Sequence, residues 1–409
     1  MASQSPLNLQ QLGVFPIGMP QIGAFFRRLS RANRAALASD RRLTNLIDMS
    51  ETPVDQQAAN APAISVLDLV AMRSGEPAGS AIARTVELAR QVEQWGYHRY
   101  WLAEHHSIAG LACSATSVLI GHVAGATSRI RVGSGGVMLP NHSPLVVAEQ
   151  FGTLEAMYPG RIDLGLGRAP GGDGHTMRAL RRDLGQTGDD FPELLEELRT
   201  YLGPGRPGQM VHAYPGQGSN VPITLLGSSA YSAQLAARLG LPFAFAAHFA
   251  PDYLQVASEL YRHQFQPSDE LHQPHLMIGV QVIVAETDGE ARRLFTTPQQ
   301  RFLRLIRNQP VELLPPVHSM QGLWNAGERA AVESRLGSAI VGSEATVKAG
   351  LEKLLRETGA SELIVVTDTY EPAARSESYQ RLAQITASTN LSERVALKAS
   401  QPAISLHIK

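Results

Sequence analysis

Between residues 63 and 388 the chain alternates, again and again, between a short apolar run and a stretch with helical periodicity. The apolar runs are Ala63–Val70, Tyr97–Ala103, Arg131–Leu139, Ile162–Leu166, Val221–Leu226, Pro242–Ala247, Leu276–Ala285 and Ser361–Asp368. Each is rich in aliphatic or β-branched residues and lacks the polar alternation of a half-exposed strand, so each suits burial on both faces of a parallel sheet. Parallel neighbours need crossover connections, and the helix-period stretches supply them. Eight such units favour closure over an open sheet, so the predicted fold class is α/β, a (β/α)8 TIM barrel with loop insertions.

The helices are expected near residues 82–95, 114–126, 144–157, 191–202, 229–239, 251–265, 288–307, 343–358 and 373–388, with Ser114 available as a cap for the second. Residues 308–342 fit no simple crossover. Pro310, Pro315 and Pro316 point to a long loop there, of the kind that barrels insert near the active-site rim. The barrel domain is placed at 62–392, after a disordered extension over 1–61 and before a tail over 393–409. Met49 offers an alternative start inside that extension, and residues 51–62 read as a linker rich in Pro, Gln and Ala.

Charge narrows the class of partner. With 36 basic and 37 acidic side chains there is no global positive field to gather nucleic acid or anionic lipid. The run Arg178, Arg181, Arg182 lies among Met177, Leu180 and Leu184 at helical spacing and reads as a solvated helix face. No apolar stretch reaches the roughly 18 residues that a membrane span needs. One cysteine, Cys113, makes no internal disulfide and suits a reducing, cytoplasmic compartment, where a small buried or capping role fits it better than a nucleophilic one.

In a barrel, chemistry gathers on the loops that leave the carboxyl ends of the strands. The second run exits into Glu104, His105 and His106. Adjacent histidines on a loop point in different directions, so one imidazole can face the cavity and exchange a proton near neutral pH. No third ligand for a metal is apparent at that spacing. The third run carries Gly133, Gly135 and Gly136, which admit either a flat ligand against the backbone or a bend in the barrel. The fourth exits through Arg168, whose fork of donors suits phosphate oxygens but also an ordinary surface position. The fifth exits into Ser228, Ser229 and Ser232 at a helix start, a phosphate cradle or a plain cap. One anion shared by Arg168 and the Ser229 segment favours the cradle. His248, at the sixth exit, has no partner assignable from spacing, and a structural hydrogen bond explains it at least as well as catalysis.

Three blocks carry a resemblance: Trp-Leu-Ala-Glu-His-His at 101–106, Gly-Ser-Gly-Gly-Val-Met-Leu-Pro at 133–140, and the stretch from Ala148 to Arg168. In this order, and followed by Gly-Ser-Ser-Ala-Tyr-Ser at 227–232, they resemble the bacterial luciferase-like flavin monooxygenases, especially the YhbW-type branch. The resemblance implies FMN as cofactor, received reduced from a separate flavin reductase, with dioxygen and a small organic substrate, and it makes a homodimer the expected assembly. It assigns His105 to catalysis with His106 and Glu104 orienting the loop, Arg168, Ser229 and Ser232 to the flavin phosphate, and Gly135 and Gly136 to a wall that in relatives carries a non-prolyl cis peptide. Gly167 stands where light-emitting luciferases have a cysteine, so neither light emission nor a long-chain aldehyde substrate is implied. A hydride-transferring flavin or deazaflavin oxidoreductase, and a flavin-binding protein without catalysis, are the competing readings.

Overall fold

The computed structural model describes residues 62–168, 174–180 and 190–388. The extension over 1–61, the tail over 393–409 and the arginines at 181 and 182 lie outside them. Nine parallel strands are present among the described residues: β1 (Ala63–Asp68), β2 (Arg99–Leu102), β3 (Arg131–Met138), β4 (Ile162–Gly167), β5 (Ile223–Gly227), β6 (Phe243–Phe245), β7 (Leu276–Val284), β8 (Ile340–Gly342) and β9 (Glu362–Val366). Strands β1 to β6 pair in sequence order. β6 pairs with β7, β7 with β9 and β9 with β1, which closes an eight-stranded barrel.

Around it lie α1 (Ala78–Gln94), α2 (Thr116–Ala126), α3 (Pro144–Met157), α4 (Gly174–Ala179), α5 (Phe191–Leu202), α6 (Ala230–Leu239), α7 (Leu254–Gln264), α8 (Asp288–Ile306), α9 (Ala326–Arg335), α10 (Glu344–Thr358) and α11 (Pro372–Ser388). The (β/α)8 expectation therefore holds, and two local expectations do not. The span 308–342 is not a simple loop. It contains α9, started by a reciprocal cap in which Asn325 accepts from the Glu328 amide and Glu328 accepts from the Asn325 amide. It also contains β8, which extends the barrel wall by pairing with the carboxyl end of β7. Ser114 does not cap α2: the preceding position is Ala115, and the Thr116 hydroxyl turns back to the carbonyls of Ala103 and Cys113.

Side chains alternate between the barrel interior and the helix layer. On the outward face, Asp68 accepts from Tyr100, from Thr85 on α1 and from Arg375 on α11, tying the first and last helices to the wall. Burial alone would raise its carboxyl, yet the Arg375 cation and these donors hold it at about 2. Inward, at the amino ends of the strands, a charged layer fills the floor. Arg99 donates to Glu362 at 2.8 Å and to Asp163 at 2.8 Å, and Arg131 reaches the other Asp163 oxygen at 2.6 Å. Trp101 Nε1 also donates to Asp163, and Ser65 donates to Glu362. Burial opposes the Glu362 charge, but the bonds from His275, Arg99 and Ser65 outweigh it and hold this carboxyl at about 2. None of this floor is expected from the sequence, although Arg99, Arg131, Asp163 and Glu362 each stand at or next to the first residue of a strand.

Removing one partner of a buried ion pair leaves an uncompensated charge, which typically costs about 3–5 kcal/mol. Asp163→Ala removes the carboxylate partner of Arg131 and leaves Arg99 with Glu362 alone, so urea unfolding should show a loss of about that size. A loss below about 1 kcal/mol would mean that the floor pairs add no more than exposed ones do.

Candidate active site

The loops at the carboxyl ends of β2, β3, β4, β5, β6 and β9 bring together most of the residues singled out in the sequence. Glu104 leaves β2 buried and accepts at one oxygen, Oε1, from His106 Nε2 and His142 Nε2, both at 2.8 Å. Its other oxygen receives the Met138 amide at 3.3 Å. Burial favours the neutral acid, but the donors His106 and His142 prevail and bring the carboxyl to about 2, so it is an anion at neutral pH. Glu104 thus clamps the start of its own loop to the end of β3. The His142 contribution is missed by sequence spacing, since 38 residues separate the two. The ligand atoms of Glu104, His106 and His142 lie within 4.8 Å of one another, a group that does not include His105.

His105 and His106 diverge, as adjacent loop residues should. His106 goes to Glu104. The His105 imidazole is desolvated and feels the cation of Arg301 on α8, which together push it down to about 4 against the opposing pull of Glu104. At pH 7 the ring is therefore neutral, with one N–H donor and one lone pair. Arg301 itself is buried against Asp368, which follows β9. His248, after β6, also enters this region. Burial first and then His105 lower it to about 3. Strands β2 and β6 stand opposite each other in the eight-strand order, and each sends a buried histidine from its carboxyl end toward the barrel mouth.

Gly135 and Gly136 are joined by a cis peptide, and the pairing of β3 with β4 shifts register between Ser134 and Val137. The glycines face protein. A Cβ on Gly133 would lie 2.4 Å from the Asp163 carbonyl oxygen, one on Gly135 2.7 Å from Leu67 Cδ1, and one on Gly136 2.7 Å from the Gly165 carbonyl oxygen. Of the two readings open in the sequence, bend and close strand packing account for the absent side chains. Cys113 is buried, and burial pushes its thiol up to about 12, which suits packing and not nucleophilic attack.

The Arg168 guanidinium lies over the Tyr231 ring, 4.5 Å from its centroid, so the exit of β4 meets the first turn of α6. Ser229 occupies the N-cap position of α6 without spending its hydroxyl on the helix. Ser232, one turn in, is buried, and its Oγ lies 2.4 Å from where a Gly227 side chain would begin, so only glycine admits it. Among the described residues no carboxylate pairs with Arg168.

The sequence profile of the luciferase-like monooxygenase family matches residues 63–362. The chain is 55% identical over 323 residues to the uncharacterized protein YvbT of Bacillus subtilis (strain 168), covering 79% of this chain and 96% of that protein. It is 50% identical over 318 residues to a luciferase-like monooxygenase of Escherichia coli (strain K12), covering 78% and 95%. Among solved structures, apo-MsnO8 superposes with a TM-score of 0.74 at 38% identity, covering 80% of this chain and 99% of that one.

Two imidazoles with depressed pKa values give the site a pH signature. An unfolded chain takes up these protons near pH 6.5, whereas the folded protein resists until about pH 4 at His105 and about pH 3 at His248. Stability should therefore fall as pH drops from about 6.5, above the range where unfolded carboxylates begin to titrate. Nitrogen-15 NMR of the His105 ring should report a neutral imidazole at pH 5.5. A ring half-protonated near pH 6.5 would contradict its burial beside Arg301.

Proposed function

The chain belongs to the luciferase-like monooxygenase family, a family of flavin-dependent monooxygenases and oxidoreductases, and from that premise we propose that it is an FMN-dependent monooxygenase that uses reduced flavin and dioxygen to oxidise a small organic substrate. The observation that carries the reading is the Arg168 cation, without a carboxylate partner among the described residues, seated on Tyr231 at the start of α6, where the Ser229 hydroxyl does not cap the helix. A dianionic phosphate has what this arrangement lacks: negative charge for the guanidinium, and acceptors for the free amides and hydroxyls of a helix start. In this reading Arg168, Ser229 and Ser232 hold the FMN phosphate, and the β3 wall at Gly135 and Gly136 borders the ring. Bound reduced FMN supplies the activation of dioxygen and the transfer of one oxygen atom.

The chain's own residues position and shield. Neutral His105 offers a proton donor and an acceptor at the mouth without adding charge. Glu104 fixes the loop that carries it, through His106 and His142. The buried Arg301–Asp368 pair holds α8 against the exit of β9 and keeps water from that side. A separate flavin reductase as the source of reduced FMN, and a homodimer, belong to the same proposal. No helix among the described residues is long and apolar enough to cross a membrane.

Anaerobic titration with reduced FMN, then with riboflavin, tests the phosphate contact. A charged hydrogen bond is worth about 1.5–3 kcal/mol, so Arg168→Ala should weaken FMN binding by roughly 10- to 150-fold while riboflavin binding barely changes. Air admitted to the FMN complex should then be consumed in step with product. Equal losses for the two flavins would remove Arg168 from the phosphate, and hydride transfer without oxygen uptake would replace the monooxygenase reading.

A further inference from the structure

We propose that Gln281 and His248 form the point at which the organic substrate is recognised, and that they select an uncharged oxygen acceptor of the ketone, ester or amide class. This rests on the flavin-enzyme reading of the same barrel mouth.

Facing is settled by register. Met277, Gly279 and Gln281 of β7 pair with Glu362, Ile364 and Val366 of β9, and Glu362 points inward to the floor layer, so Gln281 points inward as well. It stands toward the carboxyl end, at the mouth. Its side chain is 2% exposed, yet among the described residues nothing accepts from Nε2. One inward position below it, roughly 6.6 Å along the strand, Gly279 leaves room for the His248 ring: a Cβ there would lie 2.8 Å from His248 Nδ1. That Nδ1 is buried and makes no well-formed hydrogen bond, its ring resting against the Gly279 backbone. An orphan amide and a poorly satisfied imidazole nitrogen therefore lie on neighbouring levels of one interior face, and the unmet amide costs stability.

A carbonyl-type oxygen meets both. It carries two lone pairs, one for the Gln281 amide and one for His248 in the tautomer with its proton on Nδ1. A charged group finds no counterpart. The nearby cation, Arg301, is already paired with Asp368, and the His105 and His248 rings are neutral. A carboxylate or an ammonium would be desolvated without an opposite charge to receive it.

The test uses the full chain and three probes that share one ring: cyclohexanone, cyclohexanecarboxylate and cyclohexylammonium. Calorimetric titration of the wild-type protein should show cyclohexanone binding at least roughly tenfold more tightly than either ion. Gln281→Leu keeps volume and removes the orphan amide, so it should leave the melting temperature equal or higher, leave FMN affinity unchanged, and abolish the preference for the ketone. Gln281→Glu should transfer the preference to cyclohexylammonium. Absence of cyclohexanone binding, equal affinity for the three probes, or an unchanged preference in Gln281→Leu would overturn the proposal. Loss of FMN affinity in that variant would also overturn it, by giving the amide to the cofactor. Ketone selectivity in a wild-type protein that binds no FMN would instead refute the flavin reading and leave the recognition point standing.

Discussion

Arg99 is held between two buried carboxylates, Asp163 on one side and Glu362 on the other, and the barrel is organised by that pairing. A guanidinium inside a closed sheet is tolerable only when its donors are met and its charge is balanced. Meeting them here draws on β1, β2, β3, β4 and β9, more than half of the wall. The floor is thereby filled at the amino ends of the strands. Space for a ligand is left to the carboxyl ends, which is where barrels of this kind place their chemistry.

From floor to mouth the electrostatic character changes. The floor holds formal charges in matched sets, whereas the mouth holds His105 and His248 as neutral rings, with Arg301 and Asp368 cancelling each other beside them. Fixed charge reappears at the rim in two places with separate tasks. Glu104 spends its charge inside the protein, on His106 and His142. Among the described residues Arg168 has no carboxylate partner, and it rests on the first turn of a helix that the Ser229 hydroxyl does not cap. An enzyme that must hold an anionic cofactor tail while offering a dry, uncharged reaction space needs this division.

Much of this is legible in the sequence because strand burial writes itself as uninterrupted apolar runs, and eight of them alternate with helices. β7, Leu276–Val284, is buried at every position and is the clearest case. Placing Arg168 and the Ser229 segment on one rim follows from the rule that strand exits share an end. What is not legible is proximity across the barrel. His142 joins Glu104, Arg301 meets Asp368, and Glu362 meets Arg99 over long sequence separations that no spacing encodes. α9 is missed for a different reason: three prolines ahead of it, Pro310, Pro315 and Pro316, signal loop, while the Asn325–Glu328 cap that starts the helix is a local signal within that same stretch. The glycines of β3 leave two readings open because composition does not tell a wall that borders a ligand from one packed against Asp163, Leu67 and Gly165.

A crystal structure of the full chain with FMN bears most directly on the central claim, that the exit of β4 and the start of α6 form an anion site serving a cofactor in the barrel mouth. The account predicts the phosphate within hydrogen-bonding distance of the Arg168 guanidinium and the Ser229 hydroxyl, with the ring directed toward His105. A phosphate bound elsewhere on the molecule, with Arg168 still resting on Tyr231 and touching no ligand, would contradict it.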